Sequence, residues 1–135
     1  MSCNSGFPGS KTAQYERAIS GNVANLALFQ KFEDFMDYFE PIVHRFPSYE
    51  KNTLCVNIIN CMYRITERII KTNRSRDKAA GWYDVDTELE ILRSYVRRSR
   101  KKGSKYLSIR SYETAVKKLS EVGRILGGLI KKGNQ

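Results

Sequence analysis

His44 is the only histidine in the chain, and the cysteines are three: Cys3, Cys55 and Cys61. A transition-metal site needs several imidazole or thiolate ligands gathered together, and this ligand set does not supply them. A nucleophile activated by a neighbouring base lacks the base for the same reason. His44, near a helix end, reads as a cap or packing residue. Cys55 and Cys61 fall six residues apart on one helix. At about 100° per residue they point to different faces and do not bridge, so they read as small core residues. An odd cysteine count without framework spacing points to a reducing, cytoplasmic setting. Asp84, Asp86, Glu88 and Glu90 offer oxygen ligands for a metal ion. The simpler expectation is that they open the third helix, where carboxylates complement the positive end of the dipole. No catalytic residue, metal or cofactor is expected, which argues against an enzyme.

Glycines are a second candidate. Gly123, Gly127 and Gly128 sit in "SEVGRILGGLIKK", residues 120–132. They follow no strand and no GK[ST] accompanies them, so a phosphate loop is excluded. Gly123 and Gly127 are four apart and share a helix face, with Gly128 to one side. Bare backbone there favours close helix packing or an oligomer contact.

Positive charge is the strongest signal. Lys and Arg number 24 against 14 Asp and Glu, a formal net charge of +10. Such a surplus suggests a polyanionic partner. Residues 93–110 read "RSYVRRSRKKGSKYLSIR", with Arg93, Arg97, Arg98, Arg100, Lys101, Lys102, Lys105 and Arg110 and no acid. A second concentration contains Arg64, Arg68, Lys71, Arg74, Arg76 and Lys78, interrupted by Glu67 and Asp77. The expected mechanism is phosphate contact by flexible cations with counterion release, giving strong salt dependence and weak base specificity. The nucleic-acid candidates are Arg74, Arg76, Lys78, Arg93, Arg97, Arg98, Arg100, Lys101, Lys102, Lys105 and Arg110. Tyr95, Tyr106 and Tyr112 interleave with the run; Tyr106 is the better candidate to stack on bases, and Tyr112 faces the core. A membrane surface fits less well. Trp82 falls in an expected loop, no separate strongly apolar face exists, and no stretch is long enough to span a bilayer. The first residues, "MSCNSGFPGS", lack a charged start followed by an apolar run, so no signal peptide is expected.

The elements that must position these groups are helical. At 135 residues with 41% hydrophobic content, one domain with one core is expected. Residues 1–23 read as a flexible tail and 24–132 as the folded part, with a short tail over 133–135. Spacings of three and four recur four times, predicting helices near 24–45, 48–73, 84–102 and 109–132. The first buries Leu28, Phe32, Phe35, Phe39, Ile42 or Val43, and Phe46. Pro41 should kink it or split off its last turn. The second has Ser48 as N-cap, Glu50 in its first turn and a stripe of Leu54, Ile58, Met62, Ile65 and Ile69. "RSRDKAAGWYD" reads as a loop or frayed start. The third presents Val85, Leu89, Leu92 and Val96, and Gly103 ends it. The fourth, capped by Ser108, presents Ile109, Tyr112, Val116, Leu119, Val122 or Gly123, Leu126 and Ile130. Short connections make the fold all-α, an antiparallel up-down-up-down four-helix bundle. That order puts the two basic concentrations at opposite ends.

"DYFEPIVHRFPSYEKNTL" followed by "DVDTELEILRSYVRRSRKKGSKYLSIRSYETAVKKLSEVGRILGGLIK" resembles the accessory variability determinant (Avd) proteins of diversity-generating retroelements. The resemblance covers residues 26–132. It rests on Pro41 and Pro47, on the D-x-E-L-E-x-L-R pattern from Asp86, and on "EVGRILGGLIK". A related family, the proteins encoded by ribosomal RNA intervening sequences, shares the bundle. It carries an "IAEG"-type sequence in helix two, where this chain has "CMYRITERIIKTNRS". The resemblance implies a homopentameric barrel without catalytic activity, which binds the reverse transcriptase and template RNA and supports mutagenic complementary DNA synthesis. The alternative is a basic helical module that binds an acidic protein or ribosomal RNA outside any retroelement.

Overall fold

The structure, a computed structural model, describes residues 23–133. The tail expected over 1–23 therefore lies outside the described residues save for Val23. Of the tail expected over 133–135, Gly133 instead closes the last helix.

The first helix, α1, spans Val23–His44. Leu28, Phe32, Phe35, Phe39, Val43 and Phe46 are all buried, so Val43 takes the core position and Ile42 packs at its margin. Each such side chain stabilises the fold by about 1.5–3 kcal/mol. Phe35 stacks between Phe32 and Phe39, with ring centroids 6.0 and 5.2 Å apart. Pro41 does not split off the last turn; the helix runs on to His44, with Pro41 on the exposed side.

The expected second helix is broken at its start. Ser48–Glu50 form a 3₁₀ turn, Lys51–Cys55 a wide π turn, and α2 proper spans Val56–Arg74. Ser48 is no N-cap: its side chain makes no capping bond, and Pro47 precedes the turn at φ −51°, ψ 141°. Glu50, expected in an open first turn, is turned inward and buried. The stripe of Leu54, Ile58, Met62, Ile65 and Ile69 is buried as expected.

The third helix, α3, spans Lys78–Lys101 and so begins six residues before the expected 84. The segment 74–84, expected as a loop or a frayed helix start, supplies its first turns from Lys78 on. Asp77 caps it, its side chain accepting from the Ala80 N–H at 3.5 Å. Ala79 and Ala80 favour helix, and Trp82 is 2% exposed, a core residue and not a loop residue. Val85, Leu89, Leu92 and Val96 are buried as expected.

Gly103 reverses the chain at φ +120°, a conformation L side chains rarely adopt. Its carbonyl accepts from the N–H groups of Tyr106 and Leu107. The last helix, α4, spans Ile109–Gly133. Ser108 caps it as expected, its hydroxyl oxygen accepting from the Ser111 N–H at 3.1 Å. The core stripe is Ala115, Leu119, Val122, Leu126 and Leu129. It lies on the flank of the expected stripe: Ile109 is 59% and Val116 38% exposed.

Each helix packs on two others and the four close a ring. Tyr63 donates to Glu40, and Thr66 to the Met36 sulfur, between α2 and α1. Glu88 joins α3 to α2. Arg93 of α3 donates to the Leu119 carbonyl of α4. Lys31 pairs with Glu121 at 3.2 Å between α1 and α4. Among the described residues no strand occurs, and no helix is long and apolar enough to cross a membrane.

Candidate nucleic-acid interface

The basic run from Arg93 to Arg110 spans the last turns of α3, the Gly103 reversal and the first turn of α4. The structure divides its cations into two groups. Arg100 donates to the Leu107 carbonyl at 2.9 Å and holds the reversal against its own helix. Lys102 reaches across to Glu50 at 2.6 Å. Arg93 pairs with Glu90 and donates to the Leu119 carbonyl at 3.5 Å. These three are engaged in the fold. Arg97, Arg98, Lys101, Lys105 and Arg110 are exposed, and their side chains make no hydrogen bond or ion pair among the described residues. They form a cationic surface at one end of the bundle, free to meet phosphate at no cost in internal contacts.

Buried polar groups underlie that surface. Glu50 Oε2 accepts from Lys102 Nζ at 2.6 Å and from the Tyr106 hydroxyl at 2.7 Å, while Oε1 accepts from the Thr53 hydroxyl at 2.6 Å. The Tyr106 and Tyr49 hydroxyls are 3.1 Å apart, and the Tyr106 ring packs on Phe46. Tyr106 is 7% exposed, so it is not available to stack on a base, contrary to expectation. The hydrogen bonds from Lys102, then those from Thr53 and Tyr106, hold the Glu50 carboxyl down at about 2 against an ordinary 4.5. A carboxyl depressed by folding contributes stability that is full above its unfolded value and lost as pH falls through its folded one. The Glu50 share should therefore vanish between about pH 4.5 and about 2. Thermal unfolding followed over that range should show a shallower acid decline for Glu50→Gln than for the parent.

The other basic concentration flanks the α2–α3 turn, separated from the first by the length of α3, about 36 Å for its 24 residues. Lys78 Nζ donates to the carbonyls of Asn73 and Ser75 at 2.8 and 2.9 Å, and so caps the end of α2. Arg74 and Arg76 are exposed and unpaired among the described residues.

Glu88 removes two more cations from the surface. Its Oε2 accepts from Arg64 Nε at 3.0 Å and Arg68 Nε at 3.2 Å, and Glu88 is 8% exposed. This overturns the dipole reading of Asp84, Asp86, Glu88 and Glu90. Because α3 starts at Lys78, these acids lie in its second to fourth turns, beyond reach of the N-terminal dipole. Cys61 lies beside Glu88, and burial, followed by the Glu88 charge, pushes its thiol up to about 11. No metal-binding group of three His, Cys, Asp or Glu residues occurs among the described residues.

The glycines of α4 are placed differently from one another. A Cβ on Gly123 would meet the Arg93 guanidinium, the far end of a flexible side chain of α3, and otherwise only Leu89 Cδ2 at an ordinary 3.9 Å. A Cβ on Gly127 or Gly128 would meet nothing within 4 Å, and both residues are exposed.

A family model described as bAvd-like matches residues 26–133. The chain belongs to the bAvd-like family. The match runs from α1 to the end of α4, so the free cations, the Glu50 and Glu88 clusters and the glycines all lie inside the family's span. No curated protein matches the chain. Charge counting located the basic end but did not sort its members. Glu50, which engages Lys102, and Glu88, which engages Arg64 and Arg68, were missed as pairing partners: Lys102 is 52 residues from Glu50 and Arg64 is 24 from Glu88, with no local pattern linking them.

Proposed function

We propose that this bAvd-like protein is a non-catalytic accessory protein of a diversity-generating retroelement. In this reading it binds template RNA and the reverse transcriptase and supports mutagenic complementary DNA synthesis. Its helices run up-down-up-down, antiparallel, and its working form is a homopentameric barrel. Family membership supports the retroelement role. The observation that carries the RNA part is the cluster of five exposed, unpaired cations, Arg97, Arg98, Lys101, Lys105 and Arg110, with no acid from 93 to 110. The antiparallel reading draws support from the Glu50–Lys102 and Phe46–Tyr106 contacts. They bring the end of α1, the approach to α2, the end of α3 and the approach to α4 to one end.

RNA affinity measured across a salt series tests this function. A steep fall of affinity with salt, little changed by RNA sequence, is expected. A flat salt response, or an acidic protein that binds without competition from RNA, would overturn it.

A further inference from the structure

One aromatic ring lies bare at the cationic end of the bundle. Tyr49 is 75% exposed, the most exposed large apolar side chain among the described residues. Leaving such a ring in water forfeits the burial that aromatic side chains elsewhere in the fold secure. Its backbone is nonetheless fixed. Tyr49 is the middle residue of the Ser48–Glu50 turn, which the Glu50 N–H closes by donating to the Pro47 carbonyl at 2.9 Å. The tip of the ring is fixed too. Its hydroxyl hydrogen-bonds the Tyr106 hydroxyl at 3.1 Å, and Tyr106 in turn donates to Glu50 Oε2 at 2.7 Å. Among the described residues the ring contacts at this end go to Tyr106, on which Phe46 packs and over which Lys102 lies, and Tyr49 has none.

The same anchor sets the ring beside the free cations. Lys102, which holds Glu50 at 2.6 Å, follows Lys101, and Tyr106 follows Lys105. Arg45 and Lys51, on either side of Tyr49 in the chain, are exposed, and their side chains make no hydrogen bond or ion pair among the described residues. Glu50 is the one acid from 41 to 66, and it is buried. No exposed carboxylate of that stretch therefore repels a phosphate approaching the ring.

We propose that Tyr49 is the platform on which an unpaired RNA base stacks while the neighbouring cations hold the phosphates. This rests on RNA binding by the cationic end and adds a preference to it, for single strands over duplex. Bases inside a duplex are stacked on one another, whereas an unpaired base has a free face to offer a ring. A ring already held at its hydroxyl loses little freedom when a base lands on it. Stacking tolerates any base, so the preference is for strandedness and not for sequence. The Glu50 cluster then acts as a positioning device that keeps Tyr106 inside and Tyr49 outside.

The test is titration of the full-length protein with an unstructured RNA strand of mixed sequence, and with the same strand annealed to its complement. Tyr49→Ala should lower single-strand affinity about tenfold, leave duplex affinity within about twofold and leave the salt slope unchanged, because no charge is lost. Tyr49→Trp should keep the single-strand affinity, and the introduced indole should lose fluorescence as the strand saturates. Trp82, at 2% exposure, should not respond. Should Tyr49→Ala fail to fold, the indole signal decides alone. Equal losses on strand and duplex would make Tyr49 a structural residue of its turn. No loss on either, or an unquenched indole at saturation, would remove the ring from the interface. Each of these results overturns the stacking, while a steep salt response of the parent leaves RNA binding in place. A parent that binds neither form at any salt would take the RNA reading down with it.

Discussion

Alanine at Arg97, Arg98, Lys101, Lys105 and Arg110 together is expected to cut RNA affinity about a hundredfold or more near 50 mM salt. Each single-strand phosphate neutralised contributes about 0.7 to the salt slope, so five contribute about 3.5. A fourfold rise in salt on such a slope lowers affinity about a hundredfold, and that dependence should vanish in the variant. The narrower set Arg98, Lys101 and Lys105 should remove about 2 of the slope. Arg100→Ala and Lys102→Ala are the contrast. Their partners are the Leu107 carbonyl and Glu50, so they should lower the unfolding temperature and shift the slope by less than the free cations do. Binding titrations at several salt concentrations, with melting curves alongside, check both. Equal slopes for the five-residue variant and the parent would remove these cations from the interface.

The apolar stripes of α1, α2 and α3 were readable because their spacing is regular and nothing competes with it. In α4 something did. Ile109 and Val116 are apolar but exposed, and they drew the expected stripe off Ala115 and Leu129, whereas Tyr112 packs against the core. Alanine is a weak signal in a pattern search, and the exposed apolar residues look like core until a neighbouring helix is placed. The start of α3 failed for a different reason. Gly81 reads as a loop signal in one dimension, whereas in three dimensions it marks where α2 comes close. Much of the basic run was visible as charge. Which cations are free was not, because Lys102, Arg93 and Arg100 are held by Glu50, by the Leu119 carbonyl and by the Leu107 carbonyl, partners that only the folded chain brings close.

Gly81→Ala should destabilise the protein, although alanine is the better helix former by about 1 kcal/mol. A Cβ at Gly81 would lie 2.5 Å from Thr72 Cγ2 and 2.9 Å from Thr72 Cβ, closer than real contacts allow. Thr72 is 4% exposed and β-branched, so its χ1 has little freedom to yield. The helices must separate instead. Overpacking of this kind costs about 1–3 kcal/mol, enough to reverse the propensity gain. Separation would also loosen Trp82, one residue on, and its burial is among the largest contributions of α3. The cause is separable from a general intolerance of change at Gly81. Thr72→Ala deletes Cγ2 and the hydroxyl, leaving only a Cβ that need shift a few tenths of an ångström. In the Thr72→Ala background Gly81→Ala should be close to neutral or stabilising. Denaturant unfolding of the four proteins should then give a favourable coupling of about 1–3 kcal/mol. Additive losses would mean that the glycine is needed for its backbone and not for the room it leaves to Thr72.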